Sequence, residues 1–110
     1  MNCNPGDLVG IPFPYSDLRT KKRRPVLVIT SPDHHGDFIG LAVTSVPAQG
    51  WTVRIDEQSM ASGRLPKPSW IRCDKVFTLQ QEDIAGGYGT LKAEVFHEAM
   101  RVMCSGLGCR

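Results

Sequence analysis

The 110-residue sequence predicts a mainly β protein, a small barrel of five to seven strands closed by one C-terminal α-helix. One observation behind this prediction is the composition, because 11 Gly and 8 Pro favour many turns over a helical bundle. Another is that short β-branched and aromatic runs alternate with turn-forming segments over most of the chain. A third is a change to helical spacing near the C-terminus. The length and the apolar fraction of 41% fit one domain over residues 1–110.

Three strands are expected in the first half of the chain. They are Asp7–Phe13 (DLVGIPF), Pro25–Thr30 (PVLVIT) and Phe38–Val46 (FIGLAVTSV). The second is a continuous β-branched run, which is typical of a buried strand. Residues 14–24 hold turn formers and charge without usable periodicity, so they predict a long mobile loop. The segment SPDHHGD predicts a turn.

Two further strands are expected in the second half. Trp51, Val53 and Ile55 alternate with polar residues, which indicates a half-buried strand. Residues 56–69 include SGRLPKPS and predict a second long loop. Trp70–Leu79 (WIRCDKVFTL) predicts the last long strand, and the glycine-rich IAGGYGT is expected to end the sheet.

A C-terminal helix is predicted from Leu91 to Cys104, where apolar residues recur at helical spacing. Thr90 is expected to be its N-cap, and Gly106 is expected to stop it. Glu94 lies near the positive end of the helix dipole. The amphipathic pattern predicts that this helix packs on the sheet and closes the barrel.

Positive charge is concentrated in one short segment. Five of the 13 Lys and Arg lie in residues 19–24, whereas the rest of the chain has 8 cations against 11 acidic residues. The net charge of +2 therefore hides a basic cluster on a slightly acidic protein. The stretch KKRRPVLVITSP predicts either an ordinary solvated loop or an edge that holds a polyanion, mounted on a buried strand.

Several classes of protein are disfavoured by the same sequence. No apolar run approaches the ~20 residues of a membrane helix, and the N-terminal MNCNPGD lacks the parts of a signal peptide. We therefore expect a cytoplasmic protein with no membrane contact. The four cysteines form no CxxC pair, and the three histidines complete no typical zinc spacing. Free thiols, no metal site and no cofactor are expected.

Arg72 and Asp74 interrupt the apolar run of the last predicted strand. Side chains two residues apart point to one face of a strand, about 7 Å apart. One interpretation is a surface ion pair, which contributes at most about 1 kcal/mol. The other is RNA cleavage, since a 2′-hydroxyl nucleophile needs a base, a cation for the phosphorane and an acid for the leaving oxygen. Asp74 would be the base, weakened by Arg72, whose guanidinium suits phosphate oxygens better than it suits proton donation.

Hydroxyls and histidines supply further candidates. Thr44 and Ser45 end an apolar strand, where such hydroxyls either begin a turn or bind a phosphate. His34 and His35 are expected in a solvent-exposed turn, with an acid–base role as the alternative. His97 is expected on the surface of the helix.

Four segments follow one another over nearly the whole chain: PGDLVGIPFP, RRPVLVITSP, LAVTSVP and SWIRCDKVFTL. In this order they resemble the MazF/PemK (Kid) family of toxin endoribonucleases. The resemblance implies an SH3-like barrel with a C-terminal helix, a fold shared with CcdB-type toxins. This expectation agrees with the small barrel predicted from the patterns above.

The resemblance also implies an activity and partners. Family members are homodimers that cut single-stranded RNA, such as mRNA, at short motifs without a metal, leaving 2′,3′-cyclic phosphate and 5′-hydroxyl ends. A cognate antitoxin with a disordered acidic tail inhibits them, and contact with DNA is expected only indirectly, through that antitoxin. Two alternatives share the fold: a CcdB-like toxin that binds DNA gyrase without chemistry, and an RNA-binding barrel that has lost its activity.

The catalytic residues implied by the resemblance are Arg24, Thr44, Arg72 and Asp74. Arg24 stands where the family has an arginine before proline, and Thr44 matches its catalytic threonine. The two subgroups of the family weight Arg24 with Thr44 and Arg72 with Asp74 differently, and this sequence has both sets. The expected RNA-binding residues are Ser45, Lys21, Lys22, Arg23, Asp17 and Lys75. The first loop offers Asp17 where several members have Glu or His, which leaves the general acid unassigned.

Overall fold

The structure, a computed structural model, describes residues 2–14 and 21–109, and it describes only the backbone of residues 13, 14, 21 and 22. Seven strands and one α-helix lie within this part of the chain. The strands are β1 (Asp7–Pro14), β2 (Lys21–Val28), β3 (Asp37–Thr44), β4 (Thr52–Ile55), β5 (Met60–Gly63), β6 (Ser69–Gln80) and β7 (Gly87–Leu91). The α-helix, α1, is Ala93–Leu107, and short 3-10 helices span Glu57–Ser59 and Gln81–Asp83.

The strands form one antiparallel sheet in the order β4-β6-β3-β2-β1-β7-β5. The sheet curls into a half-barrel, and α1 packs against β6 and β4. This arrangement confirms the predicted mainly β barrel with a C-terminal helix. Within the described residues, the 15-residue α1 is too short and too polar to cross a bilayer, and no other helix qualifies.

Apolar side chains form a separate core on each face of the sheet. The core beneath α1 is built around Leu8, Leu27, Leu41, Ile55, Ile71, Leu91, Ala99 and Met103. The core on the opposite face is Cys3, Val9, Ile11, Val26, Val28 and Phe38. Strand β2 supplies both, because alternate residues of a strand point to opposite faces. This explains why PVLVIT is a continuous apolar run, and it confirms that this strand is buried.

The basic segment is strand rather than loop at its C-terminal end. A loop was predicted over residues 14–24, but Pro14 belongs to β1 and residues 21–24 extend β2. The extension pairs with β1, where Ile11 lies opposite Arg24 and Pro12 opposite Arg23. Backbone pairing with a long neighbouring strand outweighs the weak strand propensity of a cationic run. Residues 15–20 of the predicted loop lie outside the described residues.

The second predicted loop and the glycine-rich segment also contain strands. Met60–Gly63 is β5, and Gly87–Leu91 is β7, which lies between β1 and β5. Glycine allows β5 and β7 to approach closely: a Cβ on Gly63 would lie 2.1 Å from the Tyr88 carbonyl oxygen. A Cβ on Gly89 would lie equally close, 2.1 Å, to the Ser62 carbonyl oxygen. Neither strand has apolar alternation, so the periodicity of the sequence does not predict them.

The helix is confirmed, but both of its predicted ends are wrong. Helix α1 begins at Ala93 after Lys92, and the Thr90 hydroxyl instead donates to Asp7 Oδ1 at 2.8 Å. The helix runs past Gly106 and ends before Gly108, which adopts the left-handed conformation at φ 79°. Gly106 instead gives the Trp51 ring room to pack on the helix, since a Cβ there would lie 2.4 Å from the indole. Glu94 lies in the first turn, as expected.

Candidate active site

Three of the predicted catalytic residues lie on one face of three adjacent strands. In the middle strand β3, Ala42 pairs with Val26 of β2 and with Arg72 of β6. Arg24 lies two residues before Val26 in β2, and Thr44 lies two residues after Ala42 in β3. Because these strands are antiparallel, both residues are displaced from the row in the same direction along the sheet. Because side chains alternate and strands are about 4.8 Å apart, Arg24, Thr44 and Arg72 project from one face within a patch about 12 Å across.

A fork-shaped ion pair joins Arg72 to Asp74. Nε and Nη2 of Arg72 donate to the two carboxylate oxygens of Asp74, each at 3.2 Å. The pairing of β6 with β3 shifts at this point, since Leu41 pairs with Val76 whereas Ala42 pairs with Arg72. Residues 73–75 therefore bulge from the ladder, and bulges are a common way of re-aiming side chains beside a functional site. Both side chains remain about one-third exposed, at 32% and 36%.

The ion pair keeps both groups charged. Hydrogen bonding from Arg72 is the main reason that the pKa of Asp74 lies below its ordinary value. The reciprocal hydrogen bond raises the pKa of Arg72. Asp74 is therefore an ionised but weak base at neutral pH, and it holds the guanidinium of Arg72 in a fixed orientation. The remaining N–H groups of Arg72 are suited to binding phosphate oxygens.

The Thr44 hydroxyl takes part in the turn after β3. Its oxygen accepts a hydrogen bond from the Val46 backbone N–H at 3.1 Å. A hydroxyl that accepts in this way still has its own proton to donate. Thr44 is half-buried and Ser45 is exposed. The hydroxyl can therefore hold the turn and bind a phosphate at the same time, although from the sequence these two roles were alternatives.

A cavity of about 230 Å³ has Arg24 in its lining, but most of its lining lies on the face of the sheet that α1 covers, because Val43 and Leu65 belong to the core beneath α1. Its polar lining comes from Arg23, Arg24, Ser45, Lys67, Ser69 and Tyr88. Three of these residues were expected from the sequence, whereas Lys67, Ser69 and Tyr88 were not. Lys67 lies between two prolines in the segment predicted as loop, and Tyr88 lies among glycines of β7. A lone aromatic in a glycine-rich segment was the available signal for Tyr88.

Arg23 is held in place by its surroundings. Its Cζ lies 5.3 Å from the centre of the Tyr88 ring, within cation–π range. Its aliphatic part crosses Gly10, where a Cβ would lie 2.2 Å from Nε, and its guanidinium lies against Gly86, where a Cβ would lie 2.9 Å from Nη2. Two glycines and one aromatic ring therefore fix the position of this cation at the cavity.

Those of the other predicted residues that the structure describes lie outside the patch. Asp17 lies outside the described residues, and Lys21 and Lys22 lie in β2. Lys75 is exposed in the bulge of β6. His34 and His35 are exposed, as expected, with their ring centroids 3.9 Å apart in a turn held by Asp33. His97 is exposed on α1.

The cysteines are free thiols in the structure. Cys3 and Cys73 are buried, whereas Cys104 and Cys109 lie at the end of α1. Among residues 2–14 and 21–109, no three His, Cys, Asp or Glu side chains are grouped as metal ligands would be. The patch itself presents guanidinium, carboxylate and hydroxyl groups.

Comparison with known proteins gives a family match and several structural matches. Residues 4–106 match the model of the PemK-like, MazF-like toxin of type II toxin–antitoxin systems. None of the curated protein sequences compared with the chain matches it.

The structural matches include three bacterial toxin structures. A MazE–MazF crystal structure from Deinococcus radiodurans has 23% sequence identity and a TM-score of 0.77, with 100% of each chain covered. An endoribonuclease in complex with its cognate antitoxin from a mycobacterial species has 14% identity and a TM-score of 0.75, with 98% of this chain and 97% of that chain covered. The Mycobacterium tuberculosis toxin MazF-mt6 has 19% identity and a TM-score of 0.73, with 94% and 98% covered. At these identities the likeness establishes the fold, and it confirms the expected SH3-like barrel.

Proposed function

Because the chain belongs to the PemK-like, MazF-like toxin family of type II toxin–antitoxin systems, we propose that it is an endoribonuclease. Its proposed substrate is single-stranded RNA, such as mRNA, cut at a short sequence motif without a metal ion. The observation that best supports this proposal is the patch formed by Arg24, Thr44 and the Arg72–Asp74 pair on neighbouring strands. This patch contains two of the groups that phosphodiester cleavage by a 2′-hydroxyl uses, a base and cations for the phosphorane.

The proposed reaction is attack of the 2′-hydroxyl on the adjacent phosphorus. The new bond closes a 2′,3′-cyclic phosphate, the bond to the 5′-oxygen breaks, and that oxygen takes a proton from water to become a 5′-hydroxyl. Asp74 accepts the 2′-hydroxyl proton, although its lowered pKa makes it a weak base. Arg24 and Arg72 stabilise the negative charge that develops on the phosphorane, and Thr44 donates a hydrogen bond to a phosphate oxygen.

The cavity that Arg24 helps to line is the proposed path of the RNA chain. Arg23 and Lys67 attract the phosphate backbone, and Ser45 and Ser69 offer hydrogen bonds. Tyr88 offers an aromatic face, and unpaired bases stack on such faces and on guanidinium planes. We assign Lys21, Lys22 and Lys75 to backbone attraction, whereas Arg24 acts on the reacting phosphate.

The proposed partners are a second copy of the chain and an antitoxin. Similar structures include a MazE–MazF pair and an endoribonuclease with its cognate antitoxin. An antitoxin with an acidic tail would compete with RNA for the cations around the cavity. We place the protein in the cytoplasm, where mRNA and a co-expressed antitoxin are available, with DNA contacted only through the antitoxin.

The test is cleavage of a long single-stranded RNA by the purified protein in the presence of EDTA. We expect discrete fragments from the wild type, and a loss of about 10²–10³-fold in rate for Arg24→Ala and for Asp74→Asn. Arg101→Ala is the matched control, because Arg101 forms a similar fork-shaped pair with Glu98 on the exposed surface of α1. This control should cleave at the wild-type rate.

RNA of varied sequence that stays intact would contradict the proposal. If RNA binds without being cut, the protein is instead an RNA-binding barrel. Inhibition of DNA supercoiling with no effect on RNA would favour the gyrase-binding alternative.

A further inference from the structure

The end of α1 brings two cysteines together through its backbone. The Cys109 N–H donates to the Cys104 carbonyl oxygen at 2.8 Å, and the Gly108 N–H donates to the same oxygen. Gly108 has a φ of 79°, the left-handed conformation that reverses the chain after a helix. The bond from Cys109 is the 6→1 bond of a Schellman motif, and the bond from Gly108 is that of the simpler αL motif. A contact between the side chains at the positions of Cys104 and Cys109 frequently accompanies such a helix end.

The backbone bond between Cys109 and Cys104 brings the two residues side by side. Hydrogen bonding with Cys109 is the main reason that the pKa of the Cys104 thiol lies above its ordinary value. A disulfide requires Cβ atoms about 3.5–4.5 Å apart. The backbone motif therefore presents the pair in a geometry close to that of the bond.

Access to solvent separates this pair from the other two thiols. Cys109 is exposed and Cys104 is partly exposed, whereas Cys3 and Cys73 are buried. Burial raises the pKa of Cys73 to about 11, which leaves almost no reactive thiolate at neutral pH. Oxidants in solution therefore meet Cys104 and Cys109 first.

We propose that Cys104 and Cys109 are a redox site that closes an intramolecular disulfide on reaction with a peroxide. The more exposed Cys109 thiolate attacks the O–O bond, which breaks and leaves a sulfenic acid on Cys109. The Cys104 sulfur then attacks the Cys109 sulfur, the S–S bond forms and the sulfenic oxygen leaves as water. In total two thiols lose two electrons and two protons, and one peroxide molecule becomes two molecules of water.

The bond would restrain the part of α1 that supports the sheet beside the catalytic patch. The ring closed by the disulfide contains Gly106, on which the Trp51 ring packs. The Trp51 carbonyl oxygen accepts a hydrogen bond from the Cys73 N–H at 2.8 Å, next to Arg72. Closing the ring should reduce fraying of the last helical turn and raise the melting temperature of the protein. This proposal does not depend on the proposed RNA cleavage.

The test is native oxidation of the full chain with hydrogen peroxide, followed by alkylation and trypsin digestion. Cleavage after Arg101 gives the peptide Val102–Arg110, which contains both cysteines. We expect this peptide to lose 2 Da and to resist alkylation, and a reductant should restore both thiols. The oxidised protein should also melt at a higher temperature than the reduced protein, whereas Cys109→Ser should show no such rise.

Gly108 provides a matched pair of control variants. A Cβ at Gly108 would meet nothing within 4 Å, so a substitution there acts through backbone conformation alone. Gly108→Ala disfavours the left-handed conformation and should slow closure, whereas Gly108→Asn tolerates it and should close at nearly the wild-type rate. Closure in concentrated urea should be at least about tenfold slower than in the native protein if the Schellman motif is what holds the thiols together.

Three outcomes would overturn the proposal. They are disulfide-linked dimers through Cys109, over-oxidation of Cys109 with Cys104 still free, and equal closure rates in native and urea-unfolded protein. An effect of Gly108→Asn as large as that of Gly108→Ala would also contradict it, because the turn conformation would then be irrelevant.

Discussion

At the scale of single residues, the Arg72–Asp74 pair has two roles that pull in opposite directions. Arg72 orients Asp74 and keeps it ionised, but the same hydrogen bonds make the carboxylate a weaker base. The similar pair of Arg101 and Glu98 lies on α1, which covers the opposite face of the sheet. What distinguishes the first pair is its place in the bulge of β6, beside Arg24 and Thr44.

The lowered pKa of Asp74 predicts how the stability of the protein depends on pH. Its folded-state pKa lies below the ordinary value of 3.8, so the pair's contribution to stability is present above that value and is lost as pH falls through the folded-state pKa. The difference in the free energy of unfolding between wild type and Asp74→Asn should therefore shrink at acidic pH. Urea unfolding of both proteins at a series of pH values measures this difference.

The cause of the shift can be checked separately by NMR titration of the Asp74 carboxyl carbon. In Arg72→Ala the midpoint should rise toward the ordinary value, because the main source of the shift is removed. A midpoint that stays where it is in the wild type would show that Arg72 does not hold the carboxylate.

A substitution at Gly10 tests whether RNA binding requires the position in which Arg23 is held. A Cβ at Gly10 would push the exposed Arg23 side chain out of this position and into solvent. Gly10→Ala should therefore change the free energy of unfolding by less than about 1 kcal/mol, yet weaken RNA binding about as much as Arg23→Ala does. Fluorescence anisotropy with a labelled RNA measures both variants. Wild-type affinity in Gly10→Ala together with a loss in Arg23→Ala would mean that Arg23 needs no fixed position.

At the scale of elements, strands with their own apolar pattern could be predicted and strands without one could not. The runs in β1, β3 and β6, and the helical spacing in α1, are local signals, because each element buries one face or stripe. β5, β7 and the basic end of β2 exist because a neighbouring strand pairs with them. Pairing between strands that are far apart in the sequence leaves no trace in the periodicity of either strand.

The close approach of β5 and β7 predicts a large effect of one methyl group. In Gly63→Ala the new Cβ would meet the Tyr88 carbonyl oxygen at 2.1 Å, with φ at +80°, and we expect a loss of about 2–3 kcal/mol in the free energy of unfolding. Gly50→Ala is the matched control, since its φ is +88° but nothing lies within 4 Å. It should lose only about 1 kcal/mol from backbone strain. Equal losses in thermal or urea unfolding would contradict the role given to the β5–β7 contact.

At the scale of the whole molecule, the fold brings separate segments of sequence to one end of the sheet. The sequence supported Arg24, Thr44, Arg72 and Asp74 through chemistry and family resemblance, and the strand register explains how three segments form one patch. The cavity residues Lys67, Ser69 and Tyr88 could not be predicted, because their proximity depends on pairings of β6 and β7 that the local pattern does not encode. The net charge of +2 was likewise uninformative, since the cations that matter are those gathered at the cavity.

The most direct test of the central claim uses two RNAs that differ at one atom. One is an all-ribose substrate, and the other has a single 2′-deoxy nucleotide on the 5′ side of the cleaved bond. In EDTA, we expect the all-ribose RNA to be cut to 2′,3′-cyclic phosphate and 5′-hydroxyl ends. We expect the deoxy-substituted RNA to stay intact at that bond while still binding. Cleavage of the deoxy-substituted bond, or products with 5′-phosphate ends, would contradict the central claim, because the nucleophile would then not be the 2′-hydroxyl.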